Sequence, residues 1–257
     1  MFTERSLSEP LSSVRDAHAP DAVVFDTERD FETLDPAVAE ELGLRVDGLD
    51  PAEYPTEWLP ADAPDQLVEY ASGAFTVGAP GDGGVAWTRQ TDPPLVFVKP
   101  RLTGSPDDFV DFLIAEALVE IGLDLPEHFL GFFGERYRDL DAIAGDSLGP
   151  AGTYQLATAL FDAYVGCHSH AVFEGWADTH PDLYAAYEDA GQRLTPRLSS
   201  LSEEIATSET TFPQAAELAC NAVKHDVSVP APFDALDTAA YGDHGVDFAL
   251  EWADRVL

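Results

Sequence analysis

Between Asp107 and Leu140 the chain reads DDFVDFLIAEALVEIGLDLPEHFLGFFGERYRDL. This is its most apolar long stretch, and any fold must bury it. Gly122 and Pro126 interrupt it. Glycine suits the end of one helix and proline the first turn of the next, so two helices joined by a short turn are predicted. At 100° per residue, Phe109, Phe112, Leu113, Ile114, Leu118, Val119 and Ile121 cover most of the first helix's circumference, the pattern of a helix packed on several sides. Ser105 is placed as its N-cap and Pro106 at its first position. Asp107, Asp108 and Asp111 sit at the end where the macrodipole favours carboxylates. This hairpin is expected to bind the parts on either side of it into one continuous core.

Upstream, the strand signals are Ala22 to Phe25 and the three runs Phe75 to Gly78, Val85 to Gln90 and Leu95 to Val98. The last three are separated by GAPGDGG and TDPP, connections dense in turn residues. In the second run Val85, Trp87 and Arg89 alternate with Ala86, Thr88 and Gln90, so one face is buried. A small antiparallel meander of three or four strands is predicted. Short helices are expected over residues 3–17, 36–42 and 64–71. Ser6 and Glu9 suggest a capping box for the first. The Pro-rich segment 47–64 reads as a loop pinned by Tyr54 and Trp58. After Ser105 the chain is helical: a loop at 144–152, a helix at 153–178, another opened by Pro181, and one begun by Thr211, Pro213 and Gln214. The fold class is α+β and predominantly α-helical, with the N-terminal meander packed against a C-terminal helical bundle. Residues 1–105 form the α+β part and 106–257 the helical part.

Charge constrains the environment. The chain has 48 Asp and Glu against 13 Lys and Arg, a net charge of −35, and only Lys99 and Lys224 are lysines. Self-repulsion on that scale weakens a compact state in dilute buffer. At molar salt the Debye length falls to about 3 Å and the repulsion is screened. The composition therefore points to a halophilic protein. The same argument supplies a general reason for the acidity, which otherwise would suggest a nucleic-acid mimic or the partner of a basic protein. The eleven arginines are scattered, so nucleic acid is not expected as a ligand. Nor is a membrane: the N-terminus lacks the apolar core of a signal peptide, and no run reaches the ~20 apolar residues of a membrane span. Cys167 and Cys220 are too few for a disulfide framework. A cytoplasmic location is expected.

Chemistry-bearing residues are few. Glu116 and Glu120 are i,i+4 neighbours on the first central helix, a pair that repels itself unless a cation or proton intervenes. A narrow solvent-facing stripe, or pairing with Arg136 or Arg138 from the next helix, is one resolution. The other is half of a metal site, completed by His170 and Glu174, which share a face of the later helix in GCHSHAVFEGW with Cys167 one turn earlier. Such a site would take Zn or Fe; outside that reading no cofactor is indicated. Ser169 lies between two histidines, but helical neighbours point in different directions. His128 beside Glu127 is a candidate acid/base group. GAPGDGG lacks the Gly-Lys-Ser/Thr end of a phosphate loop. No Gly-x-Ser-x-Gly elbow occurs.

The segments TDPPLVFVKPR, SPDDFVDFLIAEALVEIGLDLPEHFLGFFGERYRDL, AELACNAVKHD and PAPFDALDT resemble, nearly end to end, a family of haloarchaeal proteins of unknown function. The resemblance transfers neither an activity nor site residues. The sequence thus describes a soluble halophilic protein whose reading as a non-catalytic accessory or interaction protein stands beside two alternatives. One is a metal-dependent enzyme using Glu116, Glu120, His170 and Glu174. The other is a partner of a basic protein or a nucleic-acid mimic.

Overall fold

A computed structural model describes residues 1–78 and 83–257. The architecture is α+β and predominantly helical. The chain divides into two compact units, the first comprising Met1–Tyr54, Glu69–Glu127 and Asp178–Ala186, the second Pro55–Val68, His128–Ala177 and Tyr187–Leu257.

The first unit holds a four-stranded sheet made of β1 (Phe2–Glu4), β2 (Val23–Thr27), β4 (Val85–Thr88) and β6 (Leu95–Val98). Its order is β1-β2-β6-β4, while β3 (Gly48–Leu49) and β5 (Thr91–Asp92) make a separate antiparallel pair. The sheet is mixed, not a meander. β1 and β4 run antiparallel to their neighbours, but β2 lies parallel to β6, with Val23 opposite Leu95 and Phe25 opposite Phe97. Parallel partners require a long crossover rather than a tight turn, and here more than sixty residues separate the two strands. Phe75 to Gly78 does not join the sheet. The main chain of Phe75 accepts from Leu34 N, and Val77 N donates to the Glu32 carbonyl, so this stretch pairs with residues 32–34 instead. The GAPGDGG connection falls in part (79–82) outside the described residues.

Alternation along the strands sorts the two faces. Phe25, Ala86, Leu95 and Phe97 join Phe2, Leu34, Leu42, Phe75 and Val77 in one apolar cluster. The Phe2 ring lies 5.8–6.1 Å from those of Phe25, Phe31 and Phe97, and each such ring buried contributes roughly 1.5–3 kcal/mol. That contact explains why residues 2–4 form a strand where a helix was expected from Thr3. The first helix, α1 (Glu9–His18), starts later than the capping box implied, and Ser8 at its N-cap position donates to Asp111 Oδ2 at 3.1 Å instead. α2 is Pro36–Gly43, its Leu42 wholly buried in the cluster; α3 is Asp65–Ala71.

The opposite face carries α4 (Asp107–Gly122), which packs on β4, β6 and α1. The sequence placed this helix with the helical part; its all-round apolarity is used on the sheet and α1 together. Where α4 ends, a Cβ on Gly122 would stand 2.5 Å from the His18 carbonyl oxygen, so glycine permits the close approach of the two helices.

The second unit is helical. A single turn of α5 (Phe129–Phe133) and a 3₁₀ turn replace the long second arm expected from Pro126. α6 (Tyr137–Thr179) follows, broken at Gly149 (φ 68°, ψ 172°) ahead of Pro150. The break falls inside the expected 144–152 loop, but helix continues up to it. Next come α7 (Pro181–Ala206) and α8 (Phe212–Val223). The predicted Thr211–Gln214 capping box is present, with Gln214 Oε1 accepting from Thr211 N at 3.1 Å. α9 (Ala239–Val256) closes the chain, and the fully buried Tyr241 donates its hydroxyl to the Leu160 carbonyl of α6 at 2.6 Å. No helix among the described residues is long and apolar enough to cross a membrane.

Candidate functional site

The most developed polar cluster lies in the first unit, where β4 runs out. Alternation places Ala86, Thr88 and Gln90 on the buried side, and two of those three residues are polar. Buried polar side chains need partners. Their common partner is the carboxylate of Glu127. Its Oε1 accepts from Thr88 Oγ1 at 2.7 Å and from Gln90 Nε2 at 2.7 Å, and its Oε2 accepts the Arg89 backbone N–H at 2.8 Å.

Gln90 extends the network in every direction its amide allows. Its Nε2 also donates to the Thr76 carbonyl at 2.8 Å, and its Oε1 accepts the Ala52 N–H at 2.9 Å. Its backbone carbonyl receives Asp50 N at 2.8 Å. The Arg89 guanidinium donates to the carbonyls of Leu123 (3.3 Å) and Leu125, and lies 5.3 Å from the Trp87 ring centroid. Trp87 Nε1 in turn donates to Glu120 Oε2 at 2.6 Å. Segments 50–54, 76, 87–90 and 120–127 therefore meet at one point.

Electrostatics follows from enclosure. Burial raises the Glu127 carboxyl above its usual value, opposed by the hydrogen bonds from Thr88, Arg89 N–H and Gln90 and by the Arg89 charge. Burial likewise pushes the Tyr54 phenol up to about 12, with the Glu127 charge adding to it. A carboxyl whose proton affinity is raised is a common signature of general acids and bases. Here, however, both oxygens are engaged by donors of the protein itself, the arrangement of a structural clamp.

The residues singled out in the sequence have these places. Glu116 is buried on α4, and Glu120 receives Trp87; both belong to the first unit. His170 and Glu174 lie on α6 in the second unit, where His170 Nδ1 is 3.2 Å from the Gly166 carbonyl oxygen. The structure thus assigns the two pairs to different units. Among the described residues no three His, Cys, Asp or Glu side chains are grouped so as to hold a metal ion. Arg136 bonds Asp139 at 2.6 Å and Asp247 at 2.8 Å, and Arg138 donates to the Glu57 carbonyl.

His128 is enclosed: its Nδ1 accepts the Leu130 N–H as the cap of α5, and burial lowers its pKa to about 3. Such a ring stays neutral at physiological pH, with the proton on Nε2. Cys167 donates its thiol to the Leu236 carbonyl at 3.5 Å, and burial raises it to about 11, far from the thiolate a nucleophile needs. Ser169 is wholly buried and donates to the Gly166 carbonyl.

Sequence reasoning noted Glu127 only as the neighbour of His128, and missed its role. The alternation over Val85–Gln90 shows that one face is buried without saying which; the structure buries Thr88 and Gln90, and that burial calls for a polar partner. Comparison with curated proteins finds no match, and neither does comparison with solved structures. The model of a family of unknown function (DUF7089) matches residues 1–257, and the chain belongs to that family.

Proposed function

We propose that the protein is a soluble, halophilic, cytoplasmic protein that works as a non-catalytic accessory or interaction protein. One observation carries the reading: the polar groups best suited to chemistry are spent on holding the fold. Both oxygens of Glu127 are occupied by three internal donors. The Cys167 thiol faces a carbonyl and the His128 ring caps a helix. The exterior supports the halophilic part, since among the described acids only Glu116, 7% exposed, and the enclosed Glu127 carboxylate are withdrawn from the surface. The other described Asp and Glu residues are partly or largely exposed, along elements of both units.

The test is reciprocal capture at molar KCl with the full chain as bait, followed by co-elution of bait and prey at fixed stoichiometry from a sizing column. A stoichiometric complex that survives molar salt is expected. Monodisperse protein that recovers no partner in either direction would overturn the reading. The alternative, a metal-dependent enzyme using Glu116, Glu120, His170 and Glu174, draws on the burial of Glu116 on α4. It requires stoichiometric zinc or iron in protein purified at high salt, lost from a Glu120→Ala, His170→Ala double variant.

A further inference from the structure

Lys99, one of only two lysines in the chain, follows directly on β6. Its side chain is 1% exposed. Among the described residues its Nζ makes no hydrogen bond. Among the described residues the opposite charge paired with it is Asp30, whose Oδ1 lies 3.6 Å away, beyond a good hydrogen bond. An ammonium carries three donors, and burying it with none of them met is among the costlier arrangements a fold can hold. An orphaned buried donor of this kind asks for a water or an ion that belongs beside it.

The surroundings indicate which. β2 and β6 are parallel neighbours, and Asp30 and Lys99 follow from their carboxyl ends. The two oxygens of Asp30 already show the spacing a ligand would need. Oδ1 faces Lys99 Nζ, while Oδ2 accepts Arg101 Nε at 2.7 Å. One anion with two or more oxygens therefore spans the ammonium and the guanidinium together, the geometry by which such side chains take phosphate. Asp30 itself is 41% exposed and comes from a segment outside any helix or strand, so its carboxylate can swing away into solvent.

We propose that Lys99 and Arg101 form a binding site for the phosphate group of a small ligand, and that Asp30 occupies it as an internal stand-in until the ligand displaces it. The test uses the full chain in molar KCl. Inorganic phosphate or glycerol phosphate is added in millimolar steps at constant ionic strength, and binding is read by titration calorimetry and by the thermal midpoint. Either compound should raise the midpoint: equal responses assign recognition to the phosphate group alone, and a response to the ester only assigns it to an organic phosphate. Asp30→Asn removes the internal competitor and should tighten binding by about tenfold. Lys99→Met should abolish the response and, without phosphate, leave the protein at least as stable as the wild type, because it removes a desolvated ammonium while the exposed Asp30 keeps Arg101. Arg101→Gln, on an exposed side chain, weakens binding and carries the test should Lys99→Met fail to fold. A wild-type midpoint indifferent to both compounds, or an equal response in Lys99→Met, would overturn the proposal.

Discussion

Beside the apolar core, the residues around Glu127 are held by one saturated polar knot. Glu127→Gln keeps the shape of the side chain but turns one acceptor into a donor facing the Thr88 hydroxyl and the Gln90 amide. A loss of about 1–3 kcal/mol is expected, measured by denaturant unfolding at molar salt. The pH dependence has a definite sign. The folded-state pKa of Glu127 is raised, so the folded protein binds the proton more tightly than the unfolded chain. Wild-type stability relative to Glu127→Gln should grow as pH falls from neutral through that raised value towards 4.5. His128 works in the opposite sense. Its folded pKa is depressed to about 3 from 6.5. The stability it contributes is full above 6.5 and drains away as pH falls through 6.5 towards 3. His128→Asn keeps an acceptor at the cap of α5 and takes up no proton, so its stability profile between about pH 6.5 and 5 should be flatter than that of the wild type. Parallel profiles for the two proteins would show that His128 does not titrate on unfolding.

At the scale of elements, Gly149 and Gly122 are two of the glycines at which helices bend or meet. Gly149 holds φ 68° inside α6, and a Cβ there would meet nothing within 4 Å. Gly149→Ala therefore isolates the cost of the backbone conformation, expected at about 1–3 kcal/mol. A denaturation midpoint equal to that of the wild type would show that the break relaxes freely. Gly122 acts by space instead, its missing Cβ letting α4 end against the His18 carbonyl. α4 itself shows why periodicity misled about partners. A helix apolar on nearly all sides announces that it is buried, but not whether a sheet or other helices cover it. β2 and β6 raise the same difficulty, since each strand is legible as an apolar run while their parallel pairing depends on everything between them.

For the molecule as a whole, the charge bears on stability. A net charge of −35 makes the folded state costly in dilute solution, and screening shortens the reach of that repulsion from about 30 Å at 0.01 M salt to about 3 Å at 1 M. The halophilic reading proposed above thus predicts that the unfolding midpoint falls steeply as KCl is lowered from molar to tens of millimolar. A midpoint independent of KCl over that range would contradict it. The Thr211–Gln214 cap, the predominantly helical α+β class, the short helix near 64–71 and the two-faced alternation over Val85–Gln90 were all readable from the residues, because each rests on spacing within a few positions. The parallel strand pair, the pairing of Phe75 and Val77 with residues 32–34, and the joining of Glu127 to Thr88 and Gln90 were settled only by the tertiary structure. Each of these brings together groups tens of residues apart, and local pattern can show that a side chain must find a partner without saying which distant segment supplies it.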